Sequence, residues 1–301
     1  MIVRPPFVSF LSDYGRTDEF VGVCHAVMLD IAPDLRIVDI THDVPAFDVR
    51  AGALALVRAI QYLPEGVVLA VVDPGVGTER RCVAVQVEVE NALLVGPDNG
   101  LLAPAVAMLG GPRLVVEITA TEYQLEAPGP TFAGRDVMAP AAAHLAAGVP
   151  LAALGPEIDP VLLTPALVPL PNVDADGVIT GEVLWVDHFG NCQLNVAPEQ
   201  LADAGAGIGD PLEVTVFDAA GVQTGRRARW VRTFAEAKPS ELVLLVDSYG
   251  MCTLALDRRS AAVDLGLRAS SSVTLSTQRA GEISGGGNDV RVGLGRREAR
   301  A

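Results

Sequence analysis

Asp73 and Arg80 are set seven residues apart in Val67-Val-Leu-Ala-Val-Val-Asp73-Pro-Gly-Val-Gly-Thr-Glu-Arg80-Arg81. A guanidinium can hold a carboxylate ionised and aim it, which is what a general base requires. The same residues also fit a turn capped by Asp73 with Arg80 as a solvated surface charge. Asp13, in Ser12-Asp13-Tyr14-Gly15, could accept two hydrogen bonds from a ribose diol, or serve as a turn aspartate. Asp187-His-Phe-Gly-Asn191 holds an acid, an aromatic ring and an amide within five residues. Those groups can bind an ammonium, stack on a base and pair with its edge, and a plain β-turn explains them equally. In Thr131-Phe-Ala-Gly-Arg-Asp136 the charged pair is expected to begin and cap a helix, while Phe132 and Gly134 let a flat ring approach the backbone. Asp98-Asn99-Gly100 has the composition of a turn.

These residues need elements to position them. Val67–Val72 is an unbroken apolar run, expected for a parallel strand buried on both faces. It stops at Asp73-Pro74, and Gly75 and Gly77 allow a tight turn. Open α/β sheets bind ligands outside the carboxyl ends of their strands, where Asp73 falls. Upstream, Pro6–Ser12 and Leu35–Ile40 are expected strands. A helix follows each: from Asp18-Glu19 to Pro33, with Phe20, Val23, Val27 and Ile31 at helical spacing, and from Val49 to Tyr62. Downstream, strands are expected at 82–89, 93–95 and 113–118, and helices at 101–109 and 137–147. Strands alternating with helices give an α/β domain.

The texture changes across the proline-punctuated stretch from Pro160 to Asp176. An N-terminal α/β domain (1–165), a linker (166–177), a smaller domain of short strands (178–276), barrel or sandwich, and a mobile tail (277–301) are the expected organisation. Short strands are expected at 178–186, 192–196, 211–216, 227–231, 242–246, 253–256 and 273–275, with no long helix. The net charge of −15 argues against a grip on nucleic acid or on anionic membranes. Four scattered cysteines suit reduced thiols in a cytoplasm, and four dispersed histidines form no metal signature. His25 and His42 stand too far from other such groups to be given a role, and His144 fits a packed helix position. No signal peptide and no membrane-spanning apolar run is expected.

Six motifs occur in order: Phe10-Leu-Ser-Asp-Tyr-Gly15, Ile37-Val-Asp-Ile-Thr-His-Asp43, Val72-Asp-Pro-Gly-Val-Gly-Thr78, Gly96-Pro-Asp-Asn-Gly-Leu-Leu102, Thr131-Phe-x-Gly-Arg-Asp136 and Asp187-x-Phe-Gly-Asn191. Together they resemble the S-adenosylmethionine hydroxide adenosyltransferase family, relatives of the fluorinase and chlorinase enzymes, over about residues 7–275. The resemblance implies an N-terminal α/β domain with a C-terminal β-barrel, and hydrolysis of S-adenosylmethionine to adenosine and methionine, with no metal or cofactor, by a homotrimer with sites between neighbouring subunits. It also implies roles. Asp13 would hold the ribose hydroxyls, Phe47 would be a wall residue, and Asp73 and Arg80 would activate water. Phe132, with Gly134, would line the ribose and C5′ region. Asp187 would take the methionine ammonium, Asn191 the adenine edge, and Phe189 and Phe234 the faces of the base. Ser248, helped by Asp18, would meet the methionine carboxylate.

Ala133 departs from the pattern, because the hydrolases place a histidine there as the third water-activating group. A methyl group cannot hydrogen-bond water. Halogenating relatives also lack that histidine but carry an uncharged residue at the Asp73 position. A carboxylate beside a desolvated halide is repulsive, so Asp73 favours water. A halogenase and a catalytically weakened binding protein for S-adenosylmethionine or adenosine are the alternatives.

Overall fold

The structure, a computed structural model, describes residues 6–88, 92–166, 169–217 and 223–277. It divides into two compact units between Leu170 and Pro171. The expected tail lies almost wholly outside the described residues, as does Val89, the last residue of the expected 82–89 strand.

The first unit is built on a six-stranded sheet: β1 (Phe7–Ser12), β2 (Arg36–Thr41), β3 (Val67–Val71), β4 (Cys82–Val87), β5 (Leu93–Pro97) and β6 (Pro112–Glu117), in the order β2-β1-β3-β5-β4-β6. β1, β2, β3 and β5 run parallel, and β4 is antiparallel to both its neighbours. Every residue of β3 is buried, as its uninterrupted apolar sequence requires. Helices α1 (Phe20–Ile31) and α2 (Val49–Ala59) make the crossovers from β1 to β2 and from β2 to β3. A short α3 (Ala103–Met108) and the alanine-rich α4 (Ala139–Ala146) complete the unit, and small side chains let α4 pack closely on α1. β1 leads to β2 on one side while β3 continues to the strands on the other. The carboxyl ends of β1 and β3 therefore flank a topological switch point. A backbone hydrogen bond from Asp13 N to Val71 O, 3.3 Å, ties those two ends together.

The second unit is a closed barrel. After a two-residue β7 (Asn172–Val173), inside the stretch expected as a linker, come β8 (Ile179–Val186), β9 (Cys192–Leu194), β10 (Pro211–Phe217), β11 (Gln223–Trp230), β12 (Leu242–Val246), β13 (Cys252–Leu256) and β14 (Ser272–Ser276). Pairing of β14 with β8 closes the last seven into a ring, with β7 beside β8. Leu212, Val214 and Val216 alternate into the interior with Glu213 and Thr215 less buried, the period-two pattern of a barrel strand. Two helices, α5 (Pro198–Asp203) and α6 (Ala261–Leu265), are short, and Leu201, Ala261 and Leu265 join the barrel core. All four cysteines are free. Among the described residues no helix is long and apolar enough to cross a membrane.

Gly190 marks where α6 meets the β8–β9 turn. Its φ is +83°, and a Cβ there would stand 2.0 Å from Ser260 Oγ and 2.8 Å from Ser260 Cα. Ser260 caps α6, and Ala262 N donates to Gly190 O at 2.9 Å, so neither side can move freely. Gly190→Ala is expected to lower stability by about 2 kcal/mol or more, from overpacking and left-handed strain together. Urea denaturation measures it, and an unchanged midpoint would contradict this account of the turn.

Candidate active site

The switch-point crevice opens into a cavity of about 520 Å³. Asp13, Phe47, Asp73, Phe132 and Gly134 all line it, with Tyr14, Phe20, Val76 and Ala133 among their neighbours. Asp13 directly follows β1, and its Oδ2 accepts from Phe47 N at 2.9 Å. Phe47 has φ +67°, a left-handed conformation uncommon for an aromatic residue, and the residue is 73% exposed. A carboxylate at the end of one strand thus holds a strained residue of the β2–α2 loop on the cavity wall.

Asp73 and Arg80 face each other as a fork on a fork. Arg80 Nε donates to Asp73 Oδ1 at 3.0 Å and Nη2 donates to Oδ2. The side chains are only 7% and 11% exposed, so the pair is desolvated as a unit. Arg80 does not line the cavity. It stands behind Asp73, anchored by Nη1 to Arg81 O at 2.7 Å and Cys82 Sγ at 3.1 Å. Gly77, at φ +78°, lets the chain turn back sharply enough to bring Arg80 under Asp73. Burial pushes the Asp73 carboxyl above the usual carboxylate range, and the Arg80 guanidinium pulls it only part of the way back. The net effect is a carboxylate more basic than one in water.

Three aromatic rings form a second wall, each edge-on to the next: Tyr14–Phe132 at 5.5 Å, Phe20–Phe132 at 5.2 Å and Tyr14–Phe20 at 5.8 Å between centroids. Gly134 is required by this packing, since a Cβ there would lie 1.9 Å from the Tyr14 hydroxyl. Residues 134–138 form one π-helical turn leading into α4, a geometry frequent at functional sites. The expectation that Arg135 and Asp136 cap this helix does not hold. They pair with each other at 2.5 and 3.0 Å, and the Arg135 guanidinium lies over the Phe132 ring at 4.9 Å. Arg135 therefore fixes the aromatic wall instead of the helix end.

Asp18 is exposed and off the cavity, where Glu19 and Phe20 line the wall. Asp98 and Asn99 act structurally. Asp98 binds Arg81 at 2.6 and 3.1 Å and accepts from Thr164 N at 2.8 Å. Asn99 Nδ2 donates to Val72 O at 2.8 Å, bracing the backbone beside Asp73. Tyr14 and Phe20 escape sequence reasoning because each looks like an ordinary turn or helix residue. Their signal was position, one beside Asp13 and one opening α1.

In the barrel unit, Asp187 organises the β8–β9 turn. Its Oδ1 accepts from Phe189 N and Asn191 N at 2.9 and 2.8 Å, and its Oδ2 accepts from Asn191 Nδ2 at 2.7 Å. Phe189 is exposed on that turn, and Phe234 stands half exposed on a single 3₁₀ turn. Ser248 is exposed in a matching turn after β12, where Asp247 Oδ1 accepts from Tyr249 N and Met251 N. Sequence reading did not anticipate that the two turns share one hydrogen-bond plan.

An α/β unit carrying a desolvated carboxylate–guanidinium pair at its switch point, followed by a closed β-barrel, defines an enzyme acting on a small molecule. The chain belongs to the SAM hydroxide adenosyltransferase family: residues 8–155 match the family's N-terminal domain and residues 181–274 its C-terminal domain. It is 45% identical, over 87% of its length and 94% of the relative's, to a protein of Salinispora tropica named (R)-S-adenosyl-L-methionine hydrolase. A Thermus thermophilus protein of the same name is 42% identical, over 91% of this chain and all of that one. A fluorinase of Actinopolyspora mzabensis is more distant, 30% identical over 90% of this chain and 97% of that one. Among solved structures, an uncharacterised conserved protein of Thermotoga maritima superposes with a TM-score of 0.81 at 31% identity, covering 89% of this chain and 99% of that one.

The strain at Phe47 is itself measurable. Left-handed backbone costs an L-residue roughly 1–2 kcal/mol, whereas glycine adopts it freely at some entropic cost. The ring is exposed, so its removal forfeits little burial. Phe47→Gly is expected to raise stability by about 0.5–1 kcal/mol in chemical denaturation, and a loss of stability would show that the loop is not strained.

Proposed function

We propose that this protein hydrolyses S-adenosyl-L-methionine to adenosine and L-methionine, by in-line attack of water at C5′ of the sulfonium substrate. The observation that carries this reading is the buried Asp73–Arg80 pair, with Asp73 on the cavity wall and Arg80 behind it. Asp73 accepts a proton from the attacking water while the C5′–S bond breaks. The products are adenosine, neutral methionine and one proton. Methionine sulfur leaves as a thioether and needs no protonation, so catalysis rests on alignment and on activation of a poor nucleophile. The reaction needs no cofactor. The names of the Salinispora and Thermus relatives support the same substrate and reaction.

Asp13, whose carboxylate faces the cavity, holds the ribose hydroxyls; Phe132 and Phe47 flank the sugar. In the barrel unit Asp187 binds the methionine ammonium, Asn191 the adenine edge, Phe189 and Phe234 the faces of the base, and Ser248 the methionine carboxylate. Exposure of Phe189, Phe234 and Ser248 supports these roles. The working form is a homotrimer with sites between neighbouring subunits, as the family resemblance implies, in a cytoplasm that keeps the four free cysteines reduced. A halide in place of water would meet the Asp73 charge at a cost of about 4 kcal/mol at 4 Å and an effective dielectric near 20. Val76 offers it no side-chain hydrogen bond. Incubation with S-adenosylmethionine, with and without chloride or fluoride, tests the reading by chromatography. Adenosine in both is expected; a 5′-halo product would make the protein a halogenase, and retention without turnover a binding protein.

Asp73→Asn removes the base with little change in shape. Turnover is expected to fall by roughly two to four powers of ten while S-adenosylmethionine affinity holds. Because burial raises the Asp73 carboxyl and Arg80 lowers it, the acid limb of kcat/KM should lie above the ordinary carboxylate range. Arg80→Met should move that limb to still higher pH. A limb that stays put in Arg80→Met would remove the pair from the chemistry.

Ala133 borders the cavity on one side and packs against the core of the first unit on the other. Ala133→His should add one hydrogen bond to the attacking water and raise adenosine formation by about tenfold or more. A folded variant without gain would mean that Asp73 and Arg80 suffice to place the water.

A further inference from the structure

Three residues that the sequence left without a role meet at the β2 edge of the sheet, outside the cavity. His25 comes from α1, Asp39 from β2, and His42 follows β2. Asp39 Oδ1 lies 2.9 Å from His25 Nε2 and 3.1 Å from His42 Nε2, and the three atoms fall within 4.8 Å of one another. Two of the four dispersed histidines therefore do meet in a cluster, which their spacing in the chain concealed.

His42 is the informative member. Its side chain is 1% exposed, and its Nε2 has no hydrogen-bond partner among the described residues. The 3.1 Å approach to Asp39 is close enough for an ion pair, but it misses the direction that a ring N–H would need. The other nitrogen, Nδ1, is fixed by Ser12 Oγ at 2.7 Å. If Nδ1–H is donated to Ser12, Nε2 presents a lone pair beside a carboxylate oxygen, and two acceptors face each other. A cation between them resolves that conflict. Ser12 is wholly buried, so its contact with His42 does not make a serine nucleophile.

We propose that His25 Nε2, Asp39 Oδ1 and His42 Nε2 bind a first-row divalent cation, with zinc the best match to two imidazoles and one carboxylate. Tetrahedral bonds of about 2.0–2.2 Å place ligand atoms roughly 3.3 Å apart. The two short contacts to Asp39 would open by a few tenths of an ångström, while the two imidazole nitrogens, within 4.8 Å of each other, would draw together. Ser12 is the outer-shell partner that orients the His42 ring. His25 and Asp39 are partly exposed, which gives the ion a way in. Arg16, the nearby cation, is exposed and paired with Asp43 at 3.8 Å, so solvent and that carboxylate screen its charge. The ion would clip α1 to β2. It would also steady the turn carrying Asp13, because Gly15 N donates to His42 O at 2.8 Å. This inference does not depend on the proposed reaction.

Zinc chloride titrated into chelator-stripped full-length protein tests it by calorimetry and thermal denaturation. Binding of one zinc per chain and a rise in Tm are expected, with no rise from magnesium. His25→Ala and Asp39→Asn, both at partly exposed positions that spare the core, should each weaken binding about tenfold or more and abolish the rise. Undiminished zinc binding in both variants would place the metal elsewhere and overturn the proposal. A wild-type Tm that stays constant or falls at millimolar zinc would overturn it as well.

Discussion

The carboxylate of Asp73 and the guanidinium of Arg80 are removed from water together, and much of the first unit is arranged to make that possible. Leaving either charge buried without the other would cost about 3–5 kcal/mol. β3 delivers Asp73 from the centre of the sheet, a fully apolar strand with neighbours on both sides. The Gly75–Gly77 turn brings Arg80 back beneath it, and Arg81 O and Cys82 Sγ hold the far end of the guanidinium. Asn99 braces Val72 from the next parallel strand. Such a pair is weak evidence for stability, since apolar replacements of the same volume often serve as well. Its value lies in an oriented carboxylate of raised basicity at the edge of a cavity.

Much of this was legible in the residues. β3 is a run of valines, leucine and alanine that only a doubly covered strand explains, and Asp73 had to fall at its carboxyl end. The seven barrel strands are each bounded by turn residues, so their positions emerged to within a few residues. Closure of the ring was not visible in the same way, because β14–β8 pairing joins segments nearly a hundred residues apart. The short helices α5 and α6 were hidden for a related reason: they are stabilised by contacts with the barrel core more than by their own periodicity.

What sequence reasoning missed is what depends on convergence in space. Tyr14 sets the need for glycine at 134, yet no local pattern links positions 120 residues apart. Arg135 and Asp136 looked like helix-end charges, but a π-helical turn swings Arg135 over Phe132. His25 and His42 are joined only by the packing of α1 on the sheet. Ala133 is the break in an otherwise complete motif, and under the proposed reaction it would place the chemical burden on Asp73. Catalysis would then rely on alignment between the paired carboxylate and the cavity walls.

The claim that water itself attacks C5′ is tested most directly by turnover in ¹⁸O-labelled water, with mass spectrometry of both products. The account predicts one heavy oxygen in adenosine, at the 5′ hydroxyl, and none in methionine. Unlabelled adenosine, or a 5′-substituted product in its place, would contradict it.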